Sequence, residues 1–321
     1  MRNATAALFS LVEYNFARCK RFGCLSPALV LRALRDVARR QHAAEPLPPT
    51  VHLLGYSSDA YGQLDALAFA LQCAVVFGGN AGLFGGKTNK EVSDKYKTLV
   101  TPAGWAFAIW GIIYFWELGA VFYILATPAS HLLADCSSWW IVGSALQALW
   151  SLAFAYEQTS LAAVLLTGIA ACFCECGRVL ASGEAAGLDW LLVLLPVSLH
   201  AGWACAATLV GWNLAAVARG ATVPVQICLA FASLYAATLL AMMAVLATLF
   251  AVPVTFPLAV AWALAAIAQE VDLHGGEVYP WQVRLAVAYT AQIGAVVVAS
   301  TAVTHCVLAI GCKNAVPVSF S

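Results

Sequence analysis

Long runs of apolar residues, separated by short polar breaks, determine what this chain can fold into. A helix that crosses hydrocarbon needs about 20 mostly apolar residues, because unpaired backbone groups are too costly in lipid. Eight runs qualify as candidate spans: residues 64–84, 102–126, 138–157, 159–181, 189–218, 224–252, 255–270 and 283–311. The sequence therefore predicts an all-α integral membrane protein with many spans.

Charged residues are few and unevenly distributed, which excludes a water-soluble fold. Of the 321 residues 62% are hydrophobic and 10% are charged, whereas a soluble domain has about 25% charged residues. After Pro102 the only basic residues are Arg178, Arg219, Arg284 and Lys313. Because charged residues are so scarce, we predict that a lipid bilayer surrounds the chain. The net charge is zero, so we predict no nucleic-acid partner.

Residues 1–60 differ from the rest because they are rich in arginine and poor in acidic residues. We interpret this segment as a basic N-terminal arm, with a short amphipathic helix at residues 27–42. Such an arm is typical of an organelle targeting segment or of a helix lying on the membrane surface, and a disordered tail is the alternative. We expect an organelle membrane, either plastid or mitochondrial. Four lysines in the loop 85–101 favour the cytosolic or stromal side for that loop.

The second span carries aromatic residues unusually deep in the membrane. Pro102 suits a helix start, because the first turn needs no backbone donor there. Trp110 lies about 12 Å along this helix at 1.5 Å per residue. Interfacial tryptophans lie at span ends instead. Trp110 and Tyr114 therefore either pack between helices or line a ligand cavity.

Three sequence blocks resemble one known family. The pattern Pro-x-x-Trp-x-Phe-x-x-Trp-x-x-x-Tyr at residues 102–114 resembles the translocator protein family, and the loop 85–96 resembles its longer branch, the tryptophan-rich sensory proteins. Residues 195–203 and 256–268 are similar to later blocks of that family. The resemblance implies a five-helix unit at about 61–220, followed by a C-terminal extension of three helices at 221–321.

The same resemblance implies a pocket for a flat apolar ligand, with the loop before the second helix as its lid. A tetrapyrrole (haem, porphyrin or chlorophyll), a sterol, another pigment or a lipid is the expected kind of ligand. The residues that match the family's pocket positions are Trp105, Phe107, Trp110 and Tyr114 on the second helix, and Trp203, Ala207 and Thr208 on the fifth. We expect a non-enzymatic protein, and photochemical breakdown of a bound porphyrin is the enzymatic alternative.

His200 lies in the middle of the fifth span, three residues before Trp203. An ionisable group inside a membrane is costly and marks a candidate functional site. Its imidazole is either an axial ligand for the iron or magnesium of a tetrapyrrole, or a neutral side chain bonded to a neighbouring helix. Glu117 on the second span either carries its own proton or pairs with His200 if the second and fifth helices touch. No spacing of Cys, His, Asp and Glu predicts a metal site apart from a tetrapyrrole.

Three roles follow from these features. The first is a membrane protein that binds a small apolar ligand for sensing or carriage. The second is an accessory structural or pigment-binding subunit of a larger membrane complex, with a homodimer as a further possibility. The third is a secondary transporter, although the two halves of the sequence show no convincing internal repeat.

Overall fold

The computed structural model describes residues 58–127, 136–182, 187–248, 253–274 and 278–314. In these ranges the protein forms nine α-helices and no β-strand, which confirms the predicted all-α fold. The basic arm predicted for residues 1–60, with its amphipathic helix, lies outside the described residues except for the last three positions. Those three positions begin the first helix.

The first six helices are α1 Ser58–Asn80, α2 Asn89–Lys95, α3 Ile109–Ala126, α4 Ser137–Ala155, α5 Thr159–Ser182 and α6 Leu195–Ala218. A short 3₁₀ turn, Gly104–Ala108, leads into α3. A π-helical turn, Trp190–Leu194, lies immediately before α6, whose second residue is Pro196. Such π turns absorb a residue that does not fit the regular helical hydrogen-bond ladder.

The last three helices are α7 Val223–Thr248, α8 Thr255–His274 and α9 Trp281–Asn314. Each of the eight predicted spans is therefore helical over most of its described residues. Six segments of the described chain are both long and apolar enough to cross a membrane: Gly62–Asn80, Gly104–Ala126, Thr159–Ser182, Trp190–Ala218, Val223–Val245 and Trp281–Cys306. These segments confirm a multi-pass integral membrane protein.

The other two predicted spans, now α4 and α8, are weaker as membrane segments. Ser144, Gln147 and Ser151 lower the hydropathy of α4, and all three are buried against other helices. The apolar part of α8 is short, at Thr255–Val271. Most side chains of α8 are buried by the bundle, whereas α4 buries one face and exposes Trp139, Val142 and Leu149 on the other.

Helix α8 packs on the fifth long helix of the bundle, α6, and on the segment that precedes α3. The Thr255 hydroxyl donates to the Leu195 carbonyl at 2.9 Å, and Ala103 N donates to Ala266 O at 3.0 Å. The indole of Trp262 donates to a carbonyl of the same segment at 3.0 Å. The division at 220/221 stays a prediction, and these bonds show that the two predicted parts share an interface.

Candidate ligand-binding site

A cavity of about 620 Å³ lies between the end of α1, the short helix α2, the start of α3, and α4. Its volume falls within the range of small-molecule sites, about 300–1,000 Å³. The inner part is lined by aromatic side chains: Phe77, Phe107, Trp110, Tyr114 and Trp150. The mouth is lined by charged side chains: Lys90, Asp94, Lys97 and Glu270. The site is therefore amphiphilic along its depth.

Trp110 is the centre of the aromatic wall. Its ring stacks on Tyr114 with centroids 5.5 Å apart and an interplanar angle of 15°. The Trp150 ring from α4 lies 6.1 Å away, and Phe77 from α1 meets Tyr114 edge to face at 5.5 Å. Three helices thus contribute rings to one surface, and a flat apolar molecule would find both stacking faces and edges there.

Behind this wall, away from the cavity, lie Trp203 and His200 of α6. The Trp110 ring meets Trp203 edge to face at 6.0 Å and His200 edge to face at 5.5 Å. The imidazole also stacks on Phe173 of α5 at 3.7 Å. Because Trp110 stands between them and the cavity, these two side chains fix the position of Trp110.

His200 and Glu117 form a fully buried pair between α6 and α3. Nδ1 of the imidazole lies 2.7 Å from Oε1 of Glu117, and both side chains have no exposed surface. This confirms the predicted alternative in which Glu117 is the partner of His200. Oε2 of the carboxyl group and Nε2 of the imidazole have no hydrogen-bond partner among the described residues.

The charged mouth is organised by ion pairs. Lys90 pairs with Asp94 along α2, and Lys97 pairs with Glu270 of α8 at 3.1 Å. All four side chains line the cavity. Surface pairs of this type contribute little to stability, about 0–1 kcal/mol. An anionic ligand group can therefore compete with Asp94 or Glu270 for the lysines at a low energetic cost.

The loop that covers the cavity is short and well fixed. A capping box joins Thr88 and Glu91 at the start of α2: Glu91 N donates to Thr88 Oγ1 at 3.2 Å, and Thr88 N donates to Glu91 Oε2 at 2.8 Å. Val92 of the same helix is fully buried against the bundle. The predicted lid is therefore a capped helical turn with its own apolar anchor.

Glu157, in the turn between α4 and α5, holds both ends of this lid. Its carboxylate pairs with Lys87 and Lys95, and it accepts a hydrogen bond from the Tyr96 hydroxyl at 2.7 Å. Glu157 has φ 57°, a left-handed conformation that a residue with a Cβ adopts only at a cost. The hydrogen bond from Lys87, followed by those from Lys95 and Tyr96, lowers the pKa of Glu157 from 4.5 to about 2.

Removing this carboxylate is expected to loosen the lid. The Glu157→Gln variant should show several-fold faster amide hydrogen exchange across residues 87–97, because two lysines and a tyrosine lose their shared acceptor. Because the folded-state pKa is depressed, the wild-type lid should be fully held above about pH 4.5 and should loosen as the pH falls towards 2. Glu175→Gln, which removes a carboxylate paired with Arg178 on α5, is the control. Equal exchange in the variant and the wild type would contradict the role of Glu157.

Three of the residues predicted for the ligand site line the cavity. They are Phe107 on the 3₁₀ turn, and Trp110 and Tyr114 on α3. Trp203 lies one layer behind them, 6.4 Å from the Phe107 ring and 6.0 Å from the Trp110 ring. The structure therefore brings four of the predicted aromatic residues into one cluster.

The other predicted residues lie away from the cavity wall. Trp105 is 42% exposed, donates its indole N–H to Gln269 at 2.6 Å and meets Trp262 edge to face. It therefore connects the start of the α3 segment to α8. Ala207 and Thr208 do not line the cavity, and the Thr208 hydroxyl donates to a carbonyl of its own helix at 2.8 Å. Their roles as ligand contacts stay predictions.

Sequence reasoning missed Phe77 and Trp150, which contribute rings from α1 and α4. Trp150 lies thirteen residues after the start of α4, so the depth argument applied to Trp110 also identifies it. Phe77 carries no comparable signal, because a single phenylalanine in an apolar helix is ordinary. Glu157 also had no sequence signal, since its partners lie in a distant loop.

Within the described residues, no group of three or more His, Cys, Asp and Glu side chains is placed to hold a metal ion. The surroundings of His200 nevertheless suit a histidine that ligates a tetrapyrrole metal. Its Nδ1 is hydrogen-bonded to the carboxyl group of Glu117, and its Nε2 has no partner among the described residues. Histidines that bind metals usually have their other ring nitrogen fixed in this way. Trp110 lies between that imidazole and the cavity, so a ligand in the cavity reaches Nε2 only if the indole moves aside.

Comparison with known protein families gives one result. The family model described as TSPO-like protein matches residues 63–304, which include most of α1, all of α2 to α8 and most of α9. No curated protein and no solved structure matches the chain.

Proposed function

Because this chain belongs to the TSPO-like protein family, we propose that it binds a flat, largely apolar small molecule in the cavity beneath α2, for sensing or carriage. A membrane role in ligand binding or sensing follows from the family itself. The finer proposal, which concerns this cavity and this kind of ligand, is supported mainly by one observation. Five aromatic side chains from α1, α3 with its 3₁₀ turn, and α4 converge on a single cavity.

Binding would be driven by burial of apolar ligand surface against these rings. Each square ångström of apolar surface removed from water contributes about 25 cal/mol, and aromatic contacts in good geometry add about 0.5–1.5 kcal/mol each. The stacked Trp110–Tyr114 pair offers a flat face, while Phe77 offers an edge. A planar ring system fits such a surface better than a flexible acyl chain does.

The charged mouth would orient the ligand. Lys90 and Lys97 lie at the outer end of the cavity, and no basic residue lines its inner end. A molecule with an apolar body and one anionic end would therefore enter body first, with its charge near the lysines. A tetrapyrrole with carboxylate side chains has these properties, and so do other planar aromatic acids.

If the ligand is a metallated tetrapyrrole, His200 is the residue of this chain that would ligate the metal. Glu117 would then hold the imidazole in the tautomer that leaves Nε2 free, which raises its basicity as a ligand. When bound, the metal would add a spectroscopic signature and a coordinate bond to the stacking described above. The residues that bind the ring itself, Trp110 and Tyr114, would act the same way with a metal-free ring.

Titration with protoporphyrin IX, a planar ring with carboxylate side chains, tests this function. In folded protein purified in detergent, we expect saturable quenching of tryptophan fluorescence and a shift of the porphyrin absorption band. Trp110→Leu should weaken binding by about tenfold or more, because it removes the central stacking face. Trp139→Leu, which removes an exposed tryptophan at the start of α4, should leave the affinity unchanged. Equal losses in both variants, or no saturable binding by the folded wild type, would contradict the proposal.

A further inference from the structure

Three polar side chains lie just beyond the inner end of the cavity. Tyr114 lines the cavity itself. Gln72 lies one helical turn before the lining residue Val76 on α1, and Gln147 lies one turn before the lining residue Trp150 on α4. Residues three or four apart share a helix face, so both carboxamides continue the inner surface of the cavity into the bundle.

These groups are buried but lack good hydrogen bonds. Gln72 is 1% exposed, Gln147 is 0% exposed and Tyr114 is 4% exposed. The phenol hydroxyl lies close to both carboxamides. Even so, the two amide nitrogens, the two amide oxygens and the hydroxyl have no hydrogen-bond partner of acceptable geometry among the described residues. Buried polar groups are nearly always paired, so a cluster of unpaired ones points to a ligand.

Taking the ligand binding proposed above as its premise, we propose that Gln72, Tyr114 and Gln147 form an uncharged hydrogen-bonding subsite for the inner end of the ligand. The groups offered are two amide donors, two amide acceptors and a hydroxyl that can do both. They suit a neutral polar group such as a ketone, a carboxamide or a hydroxyl.

A charged group is a poor fit for this subsite. Gln72, Tyr114 and Gln147 lie inside the bundle with almost no exposed surface. The side chains that make up the subsite also carry no charge with which to neutralise a cation or an anion, and an uncompensated charge in a membrane interior is costly. The lysines, in contrast, lie at the mouth.

The class of ligand follows from this arrangement. It is an elongated amphiphile with a neutral hydrogen-bonding group at its inner end, a planar apolar middle and an anionic outer end. The three zones correspond to the carboxamide pair, the rings around Trp110, and the pair Lys90 and Lys97. A ring system whose polar groups are all carboxylates can contact the rings around Trp110 and the two lysines, but it has no neutral group for the carboxamide pair.

The alternative is that the carboxamides hold helices α1, α3 and α4 together, as amides do in many membrane bundles. The two roles predict opposite effects on stability. If the carboxamides serve the fold, replacing them with leucine lowers the melting temperature. If they serve a ligand, the same replacement removes unpaired polar atoms from the interior and raises it, since apolar groups of similar shape are neutral or stabilising in such places.

The first part of the test therefore needs no ligand. The double variant Gln72→Leu/Gln147→Leu should melt about 2 °C or more above the wild type in the same detergent. Gln226→Leu is the matched control. Its carboxamide donates to the Ala221 carbonyl at 2.6 Å and also bonds to the Tyr279 hydroxyl, so its loss should lower the melting temperature. A fall in the double variant like that in the control would overturn the subsite.

The second part compares two probes of equal shape. One is a biphenyl carboxylate with an acetyl group at its far end, and the other carries an isopropenyl group there, so that a methylene group replaces the carbonyl oxygen. Wild-type protein should bind the acetyl probe about tenfold more tightly, and the double variant should lose this preference. Gln226→Leu should keep it.

The possible failures can be told apart. Equal binding of the two probes by the wild type would overturn the subsite while leaving ligand binding in the cavity intact. Binding of protoporphyrin IX but of neither biphenyl probe would overturn the inferred ligand class. If folded protein binds none of the three molecules, the proposed function itself fails.

Discussion

The His200→Ala variant is expected to lose about 3–5 kcal/mol of unfolding free energy, because it leaves the carboxyl group of Glu117 buried without its partner. The pair has no exposed surface, and its two members are joined at 2.7 Å. Glu117→Ala should cost a similar amount for the same reason. Denaturation of the purified protein in mixed detergent micelles, followed by circular dichroism, measures both values.

The double variant Glu117→Leu/His200→Phe separates the pair from the packing around it. Phenylalanine can retain the contact with Phe173, which stacks on the imidazole at 3.7 Å. Replacing a whole buried pair with apolar side chains of similar volume is often neutral or stabilising. We therefore expect the double variant to be more stable than either alanine variant. In the cycle built from Glu117→Leu, His200→Phe and this double variant, additive losses would show instead that the two side chains do not interact.

These variants should also affect the ligand site. The imidazole meets the Trp110 ring edge to face at 5.5 Å, and that ring is the centre of the cavity wall. His200→Ala should therefore weaken porphyrin binding as well as stability, whereas the Leu/Phe double variant should largely preserve it. If a metalloporphyrin binds more weakly to the double variant while the metal-free ring binds normally, then His200 is an axial ligand.

Hydropathy was sufficient to predict where the helices lie in the sequence, but not which helices pack against each other. Each apolar run became a helix because a chain in lipid must satisfy its backbone groups internally. Which helices touch depends on side chains that carry no signal along the sequence. The contact of α8 with the α3 segment rests on backbone atoms of Ala103 and Ala266, and alanines in apolar runs are unremarkable in any sequence.

The candidate site could be predicted only in part, for a similar reason. Depth along the helix identified Trp110 and Tyr114, because tryptophan and tyrosine are unusual far from the interface. Glu117 and His200 were recognisable because ionisable groups are costly there. The lid contacts could not be recognised in the sequence. Glu157 and Lys95 are ordinary surface residues, and only the fold brings them together although they are 62 residues apart in the chain.

The largest effect on helix packing is expected from a single methyl group at Gly202. A Cβ at this position of α6 would lie 2.9 Å from the Cα of Phe256 and 3.0 Å from its carbonyl carbon, with the carbonyl oxygen closer still. These are backbone atoms of α8, so no side-chain rotation relieves the clash. Gly202→Ala should therefore cost about 1–3 kcal/mol or more of unfolding free energy by forcing the helices apart.

Gly177→Ala is the matched control for this substitution. The added Cβ would meet only Ser198 Oγ at 3.6 Å and a Val197 methyl at 3.9 Å, which are ordinary contacts. Alanine is also the better helix former by about 1 kcal/mol, so the control should be neutral or slightly stabilising. The same detergent denaturation measures both variants, and equal stability of the two would contradict the close approach of α6 and α8.

The effect of Gly202→Ala on binding decides whether the predicted five-helix unit works by itself. α8 supplies Glu270 to the cavity mouth and bonds to the segment that carries Phe107 and Trp110. If α8 supports the cavity, Gly202→Ala should weaken protoporphyrin IX binding even at temperatures where the protein is fully folded. If binding stays at the wild-type level while stability falls, residues 61–220 form the ligand-binding unit and the last three helices only stabilise it.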